Sequence, residues 1–334
     1  MKLGYISTCM TALALASSLA PASAETLDKI TVGYFLEWPM PFQFAKANGT
    51  YDAELGLQVN WVSFESGAAM AAAMASGDVD ISVSQGVPSV VVANSAGQDL
   101  QIVDIAVSYA DNQNCVVQQS LGIDKTNADK LAGKKVAVPI GTVTHYGFLK
   151  LMEHFNVDAS ALEIVDMNSS DGSAAFAQGS VDVFCGWGGS LRRALETGNV
   201  LLTGKEKEAV GILEFDGITA PANFIAEHSD IVSKFLKVTD DANTMWSEGS
   251  KASEMLPVIA KDAGMDEQAA SESLATFEFP TIEEKLGASW LGGGVQSYLK
   301  GVADVFATTG NIPNVLPSYD AAVNAAPLTA AGAI

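Results

Sequence analysis

The sequence predicts an α/β protein with two similar lobes, each built on a mostly parallel β-sheet. Short β-branched runs alternate with longer stretches rich in Ala, Leu and Met, which is the pattern of strands connected by helices. The phrase AAMASGDVDI at residues 72–81 recurs as AAFAQGSVDV at residues 174–183. This period is too long for a solenoid and indicates two lobes of one design, although many helix–glycine–strand junctions look alike.

Charge and composition indicate a globular protein and argue against a nucleic-acid-binding protein. The 334 residues include 39 acidic and 18 basic side chains, a formal net charge of −21, and 48% of the residues are hydrophobic. That apolar share supports one large or two smaller cores and excludes a disordered chain. The negative charge repels phosphate backbones and anionic lipid headgroups, so we expect no nucleic-acid partner and a soluble monomer.

Residues 1–24 have the pattern of a cleavable secretory signal peptide. Lys2 precedes a mostly apolar run at residues 10–19, and the small residues 22–24 follow it. The run is short of the roughly 20 residues that span a bilayer, which argues against an N-terminal anchor. Cys9 lacks the residues that normally precede a lipidated cysteine. We therefore expect cleavage directly after residue 24 and export to the periplasm.

Two cysteines remain after the signal segment, Cys115 and Cys185. Each lies in an apolar, strand-like run of the sequence. An oxidising compartment permits a disulfide between them. A buried free thiol is the more common state of a cysteine in such a run, so we expect two unpaired thiols.

The first lobe is predicted to begin with alternating strands and helices. In chain order they are a strand at 31–34, a helix at 43–46, a strand at 59–62, a helix at 68–75 and a strand at 79–81. Asn48-Gly49 ends the first helix. Met70 and Met74 lie one turn apart in the second helix, and Gly77 supplies the left-handed conformation that ends it.

The second lobe is predicted to begin near Cys115, and the chain later returns to the first. The expected elements are a strand at 135–138, a helix after the loop 139–144, a helix at 190–196 and, back in the first lobe, helices at 231–246 and 294–308. The helix after the loop carries an apolar stripe of Tyr146, Leu149, Met152 and Phe155. We expect the Ala-rich tail after Tyr319 to fray.

The internal repeat also indicates where a ligand binds. It equates Gln85-Gly86 with Trp187-Gly188, directly after matching strands, and open parallel sheets bind ligands at the carboxyl ends of their strands. Glycines on both sides of Trp187 let backbone and ligand approach closely. The amides at the start of the helix after residue 142 point back at the loop before it.

Four segments, residues 64–68, 75–79, 133–139 and 144–146, carry a family resemblance. In this order and spacing they resemble the substrate-binding proteins of ABC importers, in particular the taurine-binding branch of the aliphatic-sulfonate, nitrate and taurine group. The resemblance implies a type II periplasmic-binding-protein clamshell, in which each lobe is a mostly parallel sheet flanked by helices and two crossing strands form the hinge. It places lobe I at residues 25–110 and 212–334, and lobe II at 111–211.

The resemblance also implies a function and a set of ligand-binding residues. The protein would bind a small solute, deliver it to the transmembrane subunits of a permease and catalyse no reaction. In proteins that it resembles, an aspartate of the returning segment binds the ammonium of taurine, and Asp216 occupies that position. The sulfonate would meet two loops, through Thr142, Thr144 and His145 in one and Gln85 and Gly86 in the other. The second loop offers fewer hydroxyls than is usual in the family, because Gly86 and Val87 precede Pro88.

Elementary chemistry agrees with this placement. A sulfonate is permanently ionised and spreads its charge over its oxygens, so several N–H groups at helix N-termini suit it and no arginine is required. Arg192 and Arg193 are therefore expected in solvent. An ammonium needs a desolvated carboxylate, because charge-assisted hydrogen bonds are strong. Asp216, beside Phe215, fits that role, with a purely structural buried aspartate as the alternative.

Aromatic and acidic side chains suggest further cleft residues and a second class of ligand. Glu37 is a second acidic candidate, and Phe35 lies in the cleft or in the core. Trp38, Tyr109, Trp187 and Phe215 could form an aromatic cage for a methylated onium zwitterion such as a betaine. The Thr-rich loop suits an oxyanion, yet a betaine carries a carboxylate, so both ligand classes stay open.

An enzyme is the competing functional class, because thiamine-precursor synthases share this fold superfamily. His145, His154 and His228 have no metal-binding spacing, and the sequence contains no G-x-S-x-G elbow. His145 opens a helix, where it either contacts the anion or caps the helix. We predict no catalytic residue, no metal site and no cofactor.

Overall fold

The computed structural model describes the initial methionine and residues 27–64, 66–308, 310 and 312–334. The rest of the predicted signal peptide, including Cys9, lies outside these residues. The strands are β1 Lys29–Phe35, β2 Gln58–Phe64, β3 Ile81–Gly86, β4 Leu100–Ser108, β5 Gln113–Gln118, β6 Lys135–Val138, β7 Glu163–Asp166, β8 Val183–Trp187, β9 Gly198–Val200 and β10 Phe215–Pro221.

Fifteen α-helices connect and cover these strands in the described part of the chain. They are α1 Phe42–Ala47, α2 Thr50–Leu55, α3 Gly67–Ser76, α4 Val87–Ser95, α5 Val143–His154, α6 Ser169–Ala177, α7 Gly188–Leu195, α8 Gly204–Ala209, α9 Ala222–Glu227, α10 Ser229–Ser247, α11 Ala252–Ala263, α12 Glu267–Leu274, α13 Ile282–Leu286, α14 Gly294–Thr308 and α15 Ala326–Ala331. Among the described residues, none of these helices combines the length and apolar character that crossing a bilayer requires.

Two five-stranded sheets form the two lobes. The first has the order β2-β1-β3-β10-β4 and the second the order β7-β6-β8-β5-β9. Each sheet has a parallel trio, β2-β1-β3 or β7-β6-β8, followed by an antiparallel strand, β10 or β5. The predicted two-lobe α/β architecture with mostly parallel sheets is confirmed.

The repeated phrase is structurally equivalent in the two lobes. Asp80 Oδ2 accepts the backbone N–H of Thr31 at 2.8 Å, and Asp182 Oδ2 accepts that of Lys135 at 2.9 Å. Each aspartate also returns a backbone bond to the same neighbour. Each aspartate is bonded to the start of the adjacent strand, and β3 and β8 begin at the residue directly after their aspartate. The predicted strand at 79–81 was therefore placed too early. The helix-ending Gly77 was predicted correctly, with φ of 81°.

The chain crosses between the lobes twice. It leaves the first sheet after Ser108, enters the second at Gln113, and returns between Val200 and Phe215. The crossings run side by side, because the N–H of Tyr109 donates to the carbonyl of Glu214 at 2.9 Å. The lobe boundaries, 25–110 with 212–334 and 111–211, remain a prediction; they fall within the two segments that cross between the sheets.

Two expectations from the sequence were wrong. Cys115 and Cys185 form a disulfide, because β5 and β8 pair in a register that places the two cysteines opposite each other. The tail after Tyr319 is packed and not frayed. The Tyr319 hydroxyl bonds that of Ser95 at 2.7 Å, Val323 bridges β4, and α15 buries Leu328 completely. The tail therefore belongs to the core of the first lobe.

Candidate ligand-binding site

A cavity of about 690 Å³ lies between the two lobes, at the ends of their central strands. This volume is within the range of small-molecule sites. The cavity is lined by Phe35, Leu36, Glu37, Trp38, Phe64, Pro88, Tyr109, Asn112, Gln113, Gly141, Thr142, Val143, Thr144, Trp187, Asp216 and Phe306. We call this cavity the cleft.

The cleft brings together most of the residues that the sequence singled out. They are Phe35 at the end of β1, Glu37 and Trp38 after it, Tyr109 at the first crossing, Thr142 and Thr144 at the start of α5, Trp187 at the end of β8, and Asp216 in β10. The cleft wall does not include Gln85, Gly86 or His145.

Each of these three residues has a different position. Gln85 is fully buried within the first lobe, where its amide donates to the carbonyl of Gly67 at 3.2 Å. Gly86 is paired with Asp216 in the sheet, and a Cβ placed on it would lie 3.4 Å from Asp216 Oδ1. His145 Nδ1 accepts the N–H of Gly141 at 3.4 Å, and burial lowers the pKa of its imidazole. A neutral imidazole that braces the loop agrees with both observations.

Asp216 is a buried carboxylate without a basic partner. It is 8% exposed, Ser84 Oγ donates to its Oδ2 at 2.8 Å, and the Tyr109 hydroxyl also bonds to it. Burial raises the pKa of Asp216 to about 7, against the lowering effect of these two hydrogen bonds. No lysine, arginine or histidine of the described residues forms an ion pair with it.

The other buried acids of the described chain are paired with lysines. Asp104 lies 3.2 Å from the buried Lys285 Nζ, and Glu214 lies 2.7 Å from the buried Lys207 Nζ. An isolated buried charge is costly, which is why such groups are paired in most proteins. Asp216 is the exception, and it is also the buried acid that faces the cleft.

Ser84 holds Asp216 and Trp38 together, and the sequence analysis missed it. Trp38 Nε1 donates to Ser84 Oγ at 2.6 Å. Ser84 has φ of +67° and lies where the pairing of β3 and β10 shifts register. A serine in a strand-like run gives no sequence signal for this bulge.

The N-terminus of α5 forms the opposite wall. Thr142 caps the helix, since its hydroxyl accepts from the N–H of His145 at 3.2 Å and donates to the carbonyl of Pro139 at 2.7 Å. The N–H groups of Val143 and Thr144 have no intrahelical partner by the geometry of a helix start. Thr144 Oγ1 is buried and has no hydrogen-bond partner among the described residues. These groups together offer donors to an anion.

Three of the four aromatic residues of the predicted cage, Trp38, Tyr109 and Trp187, line the cleft. Trp38 contacts Tyr109 edge to face with ring centroids 5.8 Å apart, and Trp187 is 43% exposed in the cleft. Phe215 is not in the cleft wall, because it points to the other side of β10 and packs on Trp290 and Tyr298. Phe215 was therefore wrongly included among the residues of the predicted cage.

The two arginines lie away from the cleft. Arg192 and Arg193 are outside the cleft wall and exposed, as expected, with Arg192 paired to Glu272 at 3.0 Å.

Sequence reasoning missed Asn112 and Gln113, which line the cleft at the first crossing. Gln113 could have been found from strand pairing alone, since it lies opposite Trp187.

Known proteins resemble this chain over most of its length. The Taurine-binding periplasmic protein of Escherichia coli (strain K12) is 25% identical over 96% of this chain and 97% of its own length. The Putative aliphatic sulfonates-binding protein of Bacillus subtilis (strain 168) is 28% identical over 62% of each chain. The crystal structure of the periplasmic aliphatic sulphonate binding protein SsuA from Escherichia coli superposes with a TM-score of 0.67 at 20% identity, over 87% of this chain and 90% of that one.

The solved structure shows that the fold is the two-lobe fold of periplasmic binding proteins. A sequence model of the family described as NMT1/THI5 like matches residues 39–270, which is more than half of the chain. The chain therefore belongs to the NMT1/THI5-like family.

Proposed function

We propose that this protein is the periplasmic solute-binding component of an ABC importer and that its ligand is taurine or a closely related small sulfonate zwitterion. The observation that carries the proposal is the unpaired, buried Asp216 carboxylate, in the same cavity as the free donors at the start of α5. A ligand with one positive and one negative pole satisfies both ends at once.

The two poles of taurine match the two ends of the cleft. The ammonium would donate to Asp216, which then gains the countercharge that the protein does not provide. The sulfonate would accept from the N–H groups of Val143 and Thr144 and from the Thr144 hydroxyl, at the positive end of a helix dipole. The names of the relatives, which refer to taurine and aliphatic sulfonates, support the same ligand class.

The remaining parts of the proposal follow from the role of a solute receptor. The protein acts as a monomer, releases its ligand to the transmembrane subunits of a permease, and needs no cofactor. The ligand is bound and released unchanged, in line with relatives that are named as binding proteins.

A methylated onium zwitterion is the second candidate ligand. Trp38, Tyr109 and Trp187 line the same cleft as Asp216 and favour it, because aromatic faces attract cations. A methylated head cannot donate a hydrogen bond to Asp216, however, and Phe215 does not complete the cage.

Isothermal titration calorimetry with four ligands tests the proposal. We expect taurine to bind tightest, with hypotaurine next and with ethanesulfonate weaker by on the order of 100-fold, because it lacks the ammonium that pairs with a buried carboxylate. Tighter binding of glycine betaine would favour the onium alternative. Equal or tighter binding of ethanesulfonate would overturn the role of Asp216.

A further inference from the structure

Ser84 connects two side chains of the first-lobe wall of the cleft, Trp38 and Asp216, through a hydrogen-bond chain of fixed direction. The indole N–H of Trp38 is only a donor, so Ser84 Oγ accepts from it at 2.6 Å. The single hydroxyl hydrogen of Ser84 is then left for Asp216 Oδ2, at 2.8 Å. The chain therefore runs from Trp38 through Ser84 to Asp216.

The hydrogen bond from Ser84 engages one of the two carboxylate oxygens of Asp216. Oδ2 of Asp216 is engaged by Ser84, whereas Oδ1 lies on the side of Gly86, where a Cβ would come within 3.4 Å of it. A glycine at position 86 keeps that side free of a side chain. Ser84 and Tyr109 both bond to Asp216, and an ionised carboxylate can accept more than two hydrogen bonds, so Asp216 can still accept from a further donor.

The backbone at Ser84 indicates that this arrangement is maintained against a local preference. Its φ of +67° is in the left-handed region, which L-residues other than glycine, asparagine and aspartate rarely adopt. Glycine would adopt the same conformation without strain. Strained residues of this kind concentrate at functional sites.

We propose that Ser84 is the specificity-determining residue of the cleft, which holds Asp216 and Trp38 so that an ammonium bearing N–H donors is bound in preference to an amine-free anion. The inference rests on the proposed function for its ligand, but the hydrogen-bond chain itself is independent of any ligand.

Three variants separate the hydroxyl of Ser84 from its backbone. Ser84→Ala and Ser84→Gly both remove the hydroxyl, but only Ser84→Gly relieves the strain at positive φ. Ser82→Ala is the matched control, because Ser82 is an equally buried serine of β3 whose hydroxyl bonds Gln85 and Thr219 and does not touch Asp216. We expect Ser84→Gly to melt at a higher temperature than Ser84→Ala.

Calorimetry on these variants tests the specificity. Both Ser84 variants should lose on the order of tenfold in affinity for taurine, the effect of one hydrogen bond to a charged group, and much less for ethanesulfonate. Ser82→Ala should bind both ligands as the unmodified protein does. An equal loss of affinity for taurine and ethanesulfonate would overturn the inference, because Ser84 would then affect only packing. Affinity losses that vary among the variants in proportion to their melting temperatures would overturn it for the same reason.

A second measurement on the ligand-free protein distinguishes failure of this inference from failure of the proposed function. The indole N–H resonance of Trp38, assigned with Trp38→Phe, is followed by NMR against pH. The other ionisable groups around Asp216 are Tyr109, Glu37 in the cleft wall, and Glu214, whose charge Lys207 balances.

The resonance should shift with a midpoint near the pKa of about 7 of Asp216, and Asp216→Asn should abolish the shift. Ser84→Gly should greatly reduce its amplitude, since the connection is lost. A Trp38 signal that does not titrate contradicts the chain whatever the protein binds. A titrating signal in a protein that binds no sulfonate supports the chain and refutes the ligand assignment.

Discussion

Asp216 determines the behaviour of the cleft at the scale of single residues. Its carboxylate is buried without a basic partner, whereas Asp104 and Glu214 each have a buried lysine. Such a group destabilises the ligand-free protein when it is ionised and favours a cationic ligand. Stability and binding therefore depend on Asp216 in opposite directions.

We predict that Asp216→Asn weakens taurine binding by about 2 to 5 kcal/mol, as expected when a buried charge pair loses one partner. The amide oxygen still accepts from Ser84, so the ligand-free variant should be at least as stable as the unmodified protein at pH 8. Calorimetry and thermal melting measure the two effects. Glu37→Gln is the matched control, because Glu37 lines the same cleft but is exposed. A larger loss of taurine affinity in Glu37→Gln than in Asp216→Asn would show that Glu37, and not Asp216, binds the ammonium.

The raised pKa of Asp216 predicts a pH dependence. Burial raises the pKa from 3.8 to about 7, so in this interval the folded protein binds more protons at this group than the unfolded chain does. The contribution of Asp216 to the free energy of unfolding therefore falls as pH rises from about 4 to 7.

Ligand affinity should change with the opposite sign, since the ammonium needs the carboxylate form. Below pH 7 the dissociation constant for taurine should rise by up to about tenfold per pH unit, and above it the constant should level off. Calorimetry between pH 5 and 8.5 checks this, with Asp216→Asn as the control that lacks the slope. A flat profile for the unmodified protein would be inconsistent with an ammonium bound to Asp216.

The start of α5 is the element at which we expect the anionic group of the ligand to bind. Thr142 and Thr144 lie two residues apart with different tasks, since the first hydroxyl caps the helix and the second has no partner. We predict that Thr144→Val lowers affinity for taurine and ethanesulfonate alike by on the order of tenfold, with no loss of thermal stability.

The matched substitution Thr142→Val should mainly lower stability, whereas Thr144→Val should mainly lower ligand affinity. It removes an N-cap and should reduce the free energy of unfolding by about 1 kcal/mol. Thermal melting and calorimetry on both variants separate capping from binding. Loss of stability without loss of affinity in Thr144→Val would remove this hydroxyl from the site.

The elements differ in how far the sequence could predict them. The helix that ends at Gly77, β6 and α14 depend on local patterns, so their positions followed from the residues. The bulge at Ser84, the register that pairs Cys115 with Cys185, and the docked tail depend on contacts between distant segments. Local sequence patterns do not report such contacts, and the predictions of a frayed tail and of unpaired thiols were therefore wrong.

At the scale of the whole molecule, the cleft depends on how the two crossings are joined. Lys207 Nζ donates to the carbonyl of Gln113 at 2.6 Å and to Glu214 at 2.7 Å, so one buried ammonium connects both crossings. Gln113 lines the cleft, and Asp216 follows Glu214 by two residues. The hinge and the binding residues are therefore continuous in the chain. The internal repeat predicted that both lobes contribute strand ends to one site, but the identity of the side chains at the crossing required the structure.

A crystal structure of the taurine complex tests the central claim most directly. We expect the ligand between the lobes, with its nitrogen within hydrogen-bond distance of Asp216 and its sulfonate oxygens on the N–H groups of Val143 and Thr144. A taurine molecule in the reverse orientation, or bound away from Asp216, would contradict it.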